Sequence, residues 1–187
     1  MREQIEEAMA EAHVVALDRE VFEDEDEIGY IVGLGPSLVL LLRISDSIRF
    51  DGFSVMRIED VSNLEMPHEH EAFIEGALRL REENVDGAPE VDLSGWASTI
   101  RTLGRLFDLV TIHTEMEDAG ICQIGHVQSV GDEDLRLVTI DPDADWAEEA
   151  MTIRLDQVTR VDVGGGYEEA LLLVGGRCPV PILRSVD

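Results

Sequence analysis

The feature that most constrains the fold of this chain is an internal repeat. IGYIVGLGPSLVLLLRIS (Ile28 to Ser45) aligns without a gap on IGHVQSVGDEDLRLVTID (Ile124 to Asp141). Ile28 meets Ile124, Gly29 meets Gly125, Ile31 meets Val127 and Gly35 meets Gly131. Leu41 with Leu137 and Ile44 with Ile140 continue the match, and Phe50 falls on Trp146. After a one-residue gap, RIEDVSNLEM (Arg57 to Met66) lies on RLDQVTRVDV (Arg154 to Val163), and Glu71 falls on Glu168. Upstream, VVALDRE (Val14 to Glu20) matches LVTIHTE (Leu109 to Glu115). Matched positions agree in polarity as well as identity. The 187 residues therefore read as two diverged copies of one small β-rich module, about 95 residues apart.

Each copy opens on a helical pattern. Ile5, Met9 and Ala12 in the first, and Trp96, Ile100, Leu103 and Phe107 in the second, put one apolar stripe on a helix face. In the second copy Ile121 to Val130 predicts a strand, Gly131 to Asp134 a tight turn, and Leu135 to Ile140 its hairpin partner. Asp141 to Asp145 is a turn, and Met151 to Leu155 and Val158 to Val163 are two further strands. Gly164-Gly165-Gly166 ends the sheet and a short helix opens at Tyr167. A module is thus helix, five short strands and short helix. Five such strands close most economically into a small barrel, which removes exposed edges. The modules span residues 1–80 and 93–187, joined by a linker over 81–92 in which Gly87 and Pro89 stand among acids. The tail from Cys178 could add an edge strand, since Pro179 and Pro181 keep it out of a central one.

Across strands two and three, the pattern Gly125, Val127, Val130, Gly131, Leu135, Leu137, Ile140 and Asp141 resembles the Sm-like barrel and its SH3-like relatives. The last strand followed by GGGYEEAL (Gly164 to Leu171) resembles the ending of short uncharacterised bacterial proteins with such barrels. The resemblance implies a mainly β (α+β) chain: two tandem five-stranded barrels, each preceded by an α-helix. For the RNA-binding kind it also implies a ring oligomer clasping single-stranded RNA. The two loops involved carry a D-x-M-N-type segment after strand three and an Arg-Gly pair near strand five. Here Asp141 is followed by Pro142-Asp143-Ala144-Asp145, and Ser45 by Asp46-Ser47-Ile48-Arg49. Neither copy supplies the asparagine or the Arg-Gly pair, so RNA binding does not transfer with the fold.

Charge argues the same way. Forty-one acids face 14 basic residues, all of them Arg, for a formal net charge of −27. Such a field repels phosphate backbones and anionic lipid, and favours a basic protein partner or bound cations. Solubility in a salty cytoplasm would produce the same excess. The longest apolar run, Leu38 to Leu42, is too short to span a membrane. The opening MREQIEEAMAEAH is not a signal peptide, so a cytoplasmic location is expected. Cys122 and Cys178 have no metal-type spacing and read as unpaired thiols.

Motifs with chemical potential fall short of a reaction. His68-Glu69-His70-Glu71 could offer imidazoles and carboxylates to a metal, but the second copy has Gly165, Gly166, Tyr167 and Glu168 there. Acids at a helix start are explained by the helix dipole alone. Asp141, Asp143 and Asp145 have the opening spacing of a calcium loop, yet Trp146 and Thr152 replace its glycine and its bidentate glutamate. The acidic run Glu23 to Glu27 reads as a solvated loop. Gly33-Leu34-Gly35-Pro36 is followed by a strand rather than a helix, so it is no dinucleotide fingerprint. His13, His113 and His126 read as structural histidines, and no catalytic residue, metal site or cofactor is expected. Phe50 and Trp146 share one module position, as a plug at the barrel end or as a partner's anchor. The favoured function is a non-catalytic protein-interaction module for a basic partner, of which a toxin-neutralising immunity protein is one instance. The alternatives are Sm-like nucleic-acid binding and a small-ligand binder or enzyme at the cleft between modules. Candidate interaction positions are His68, His70, Phe50 and Trp146. A homo-oligomer remains open.

Overall fold

The computed structural model describes residues 1–22, 26–85 and 87–179. Most of the acidic run 23–27 and nearly all of the tail after Cys178 lie outside these residues. The first half holds α1 (Arg2–Glu11), β1 (Val14–Asp18), β2 (Glu27–Leu34), β3 (Leu38–Ile44), β4 (Phe50–Arg57), β5 (Asn63–Glu65) and α2 (Glu71–Leu80). The second holds α3 (Trp96–Leu106), β6 (Val110–His113), β7 (Cys122–Val130), β8 (Asp134–Thr139), β9 (Met151–Arg154), β10 (Arg160–Val163) and α4 (Gly166–Gly175).

All ten strands form one antiparallel sheet in the order β5-β1-β2-β3-β4-β10-β6-β7-β8-β9. Each half therefore reads fifth, first, second, third, fourth. The register of strands two and three shifts at like places, between Ile31 and Gly33 and between Val127 and Ser129. The sheet does not close into two separate barrels. The outer edge of β4 is taken by β10, with Val55 opposite Val161 and Ser54 opposite Asp162.

That seam explains why β3 is apolar on both faces. Val39 and Leu41 point into the first half's core with Ile5 and Ala8 of α1 and with Val15, Leu17 and Met56. Leu38, Leu40 and Val55 point the other way, into the second half's core with Ile100, Leu103, Val110, Ile112 and Val161. A strand buried on both sides reads as a continuous apolar run. The matching positions in the second half are Asp134, Arg136 and Thr152, all exposed. Its outer face is polar, so a further copy added at β9 would not meet the apolar surface that forms the internal seam.

The α1 stripe differs from the sequence expectation. Ile5 and Ala8 are buried, whereas Met9 is exposed and Ala12 caps the helix in the left-handed conformation (φ 55°). The turn at Ala12 leads the chain directly into β1, with the face bearing Ile5 and Ala8 set on the core. In α3 the buried positions are Thr99, Ile100 and Leu103, while Phe107 caps the helix and packs on Phe53. Residues approaching α3 are docked rather than loose: Leu93 is buried and Val91 half-buried against the second core.

Two sets of ionic contacts join the halves. Arg160 of β10 lies 2.9 Å from Glu27 of β2, which in turn holds Arg43 at 3.0 Å. Arg160 also contacts Asp162 at 2.8 Å, and His113 contacts that carboxylate at 2.9 Å. Burial pushes the Asp162 carboxyl up, but His113 and Arg160 outweigh it and hold the group far below the usual carboxylate range. Arg19, after β1, donates to both oxygens of Glu115, after β6. The Glu115 carboxyl is held low by Arg19 and Thr159 against the opposing effect of burial.

Candidate functional site

The second helix of each half covers the sheet face opposite to the first helix. Under α2, Ile74 and Leu78 pack on Val14, Tyr30, Leu42 and Ile44. Under α4, Leu171 packs on Leu109, Ile140 and Ala144. A glutamate at the start of each helix ties it to the first strand. Glu71 Oε1 accepts from the backbone N–H of Val14 and lies 2.9 Å from His13 Nδ1. Glu168 Oε1 accepts from the Thr111 hydroxyl. Burial, with the charges of Glu75 and Glu71, pushes the Tyr30 phenol up to about 12.

The Glu71 contact has a pH signature. It holds the His13 imidazole above its ordinary pKa, with Glu11 adding to the effect. A raised folded-state pKa contributes stability below the unfolded value of about 6.5, lost as pH rises through the folded value. The wild type should therefore exceed His13→Gln in urea midpoint by more at pH 6 than at pH 8.5. An offset equal at both pH values would refute the charge contribution.

Beside each second helix lies a groove, and the two grooves share six matched lining positions. In the first half Ile28, Ile44, Ser45, Asp46, His70 and Ile74 line a groove of about 240 Å³. In the second, Ile124, Ile140, Asp141, Pro142, Tyr167 and Leu171 line one of about 330 Å³. These residues pair one for one through the repeat. His68 joins the first groove, its ring centroid 5.7 Å from that of His70, and its Nδ1 accepts from the His70 backbone N–H at 3.0 Å. That bond occupies one of the nitrogens a metal would need. Among the described residues no group of three or more His, Cys, Asp and Glu could hold a metal ion.

Phe50 and Trp146 sit half-buried in the clusters beneath α2 and α4. Phe50 meets Tyr30 edge-on at 6.2 Å. Trp146 Nε1 donates to the carbonyls of Gly175 (3.2 Å) and Gly176 (3.3 Å), fixing the β8–β9 connection to the end of α4. Of the four candidate residues, His68 and His70 line the first groove, Phe50 lines a separate depression of about 500 Å³ with Tyr30, Glu75 and Leu78, and Trp146 supports the end of α4. The missed signal was Tyr167, matched to His70 in the repeat and lining the second groove.

The remaining histidines have structural partners: His113 with Asp162, and His126 Nδ1 with the Asp108 carbonyl at 3.0 Å. Cys122 lines the second groove; desolvation and the nearby Asp162 push its thiol up, so it is protonated at neutral pH. Asp141 Oδ1 accepts from the backbone of Asp143 and Asp145, closing a turn on itself. Between the halves, an open depression of about 450 Å³ is lined by Leu38, Arg57, Glu59, Trp96, Leu155 and Asp156. Its Arg57 is engaged by Asp60 at 2.7 Å. Among the described residues no helix is long and apolar enough to cross a membrane. No family model, no curated protein and no solved structure matches the chain.

Proposed function

We propose that this chain is a non-catalytic protein-binding module, built from two diverged Sm-like units, whose partner presents a cationic surface. The observation that carries the reading is the recurrence of one groove at matched positions beside the second helix of both halves. A groove retained by two copies whose linings have diverged in charge and ring chemistry suits recognition of two different surface features. Its lining of aliphatic side chains with ring side chains and a few polar groups fits an inserted side chain better than a reacting substrate. The net charge of −27 would steer a basic partner toward it and disfavour nucleic acid.

Cross-linking of the full chain in its host lysate, at low and high salt, tests this. A salt-sensitive protein partner cross-linked beside either groove is expected. Recovery of no protein, of RNA alone, or of a partner attached far from both grooves would sink the reading.

A further inference from the structure

We propose that the outer face of α4 and the acidic β8–β9 connection together dock a cationic amphipathic helix of the partner protein. This rests on the protein-binding reading above and narrows it to one surface and one kind of ligand.

The helix GYEEALLLVG has more apolar residues than its buried side can use. Leu171 is buried and Leu172 half-buried against the sheet, yet Leu173 is 87% exposed, Val174 76% and Tyr167 56%. Tyr167, Ala170 and Val174 are spaced i, i+3 and i+7 and share a helix face, with Leu173 beside them. A contiguous apolar patch of this kind on a soluble surface marks an interaction site.

The surroundings specify the occupant. Trp146 and Ala144 hold the β8–β9 connection against the C-terminal end of α4. That connection exposes Asp141, Asp143, Asp145, Glu148 and Glu149 within nine residues. Glu169 is exposed on the helix itself, and the negative end of the helix dipole adds the same sign. Arg177 at this end sits 3.8 Å from Asp108. An apolar stripe bordered by carboxylates complements a helix with one apolar and one basic face. The adjoining groove, with Ile124, Ile140, Tyr167 and Leu171 in its wall, has room for an anchoring apolar side chain.

The matched face of α2 lacks this charge pattern. Phe73 and Leu80 are exposed there, but the β3–β4 connection carries only Asp46 and Arg49, and Arg81 of the helix end donates to the Ser47 and Ile48 carbonyls. The basic ligand is therefore assigned to α4.

Fluorescence anisotropy with the full chain and two short synthetic helices, one Leu/Arg and one Leu/Glu with the same stripe, tests the assignment. Leu/Arg binding that weakens with salt is expected. Leu173→Ser with Val174→Ser should cost at least about tenfold in affinity. Glu148→Gln with Glu149→Gln should flatten the salt dependence, while Leu80→Ser on the exposed face of α2 leaves affinity unchanged. Circular dichroism checks that each variant keeps its helices. Equal binding of the Leu/Glu helix, no binding of either, or indifference to the Leu173/Val174 change overturns the proposal. So does a dimer of the chain that the Leu173/Val174 change dissolves. A lysate partner that still cross-links to that variant would discard the α4 surface and leave the protein-binding reading standing.

Discussion

Replacing Arg160 by alanine is expected to lower the unfolding free energy by about 3–5 kcal/mol, the range for breaking a buried charge pair on one side. The guanidinium is nearly inaccessible and touches Glu27 of the first half and Asp162 of its own strand. Its removal leaves Glu27 with Arg43 alone and Asp162 with His113 alone, in a site with little water. For a chain of this size the melting temperature should fall by roughly 6–20 °C. The pH dependence carries the sign. In the wild type the low folded-state pKa of Asp162 contributes stability above about pH 4, lost as pH falls further. In Arg160→Ala the buried carboxyl can relieve its cost by taking up a proton, so the deficit should shrink as pH is lowered from 7 toward 4. Urea unfolding at several pH values measures this, and a constant deficit would mean that lost packing rather than unpaired charge dominates.

Gly29→Ala and Gly125→Ala should each cost about 3 kcal/mol or more, at the upper end for overpacking. A Cβ at Gly125 would stand inside contact distance of the Val138 carbonyl oxygen and 2.9 Å from Thr139 Cα. A Cβ at Gly29 would meet the Leu42 carbonyl in the same way. Both obstacles are backbone of the paired strand, so the strands must part rather than a side chain turn. Gly131→Ala is the control: its nearest neighbour is the side-chain carboxylate oxygen of Asp134 at 3.3 Å, the free end of an exposed side chain at the start of β8, and a change within about 0.5 kcal/mol is expected. Thermal unfolding of the three variants decides between a close-approach role and simple strand flexibility. Gly35, matched to Gly131 in sequence, is held for a different reason. A Cβ there would lie 2.7 Å from the Leu93 Cβ, a contact peculiar to the first half.

Much of the second half was legible because its strands alternate. Asp134-Leu135-Arg136-Leu137 places leucines inward and charges outward, so period two marks both strand and core face. The α1 stripe was misread because Ile5, Ala8, Met9 and Ala12 fit either of two adjacent faces. The turn into β1 selects the face bearing Ile5 and Ala8. The grooves were half legible. His68 and His70 stood out by their chemistry, whereas Tyr167 and the exposed Leu173 and Val174 looked like ordinary residues of a helix pattern. Exposure is settled by what lies opposite a helix, which spacing along the chain does not contain.

By itself the sequence determined the element order of each half, helix, strands and helix, with like glycines at Gly29 and Gly125 and like glutamates at Glu71 and Glu168. These follow from local periodicity and from matched positions meeting the same short-range sterics. Only the tertiary structure decided how the units join. Leu38 and Leu40 differ from Asp134 and Arg136 in sequence, but that they face the second core required the β4–β10 seam. An open strand edge can be satisfied by closing on its own unit or by pairing with the next. Here the second outcome buries Leu38, Leu40 and Val55 and pairs Arg160 with Glu27, free energy that arises only when both halves are folded together.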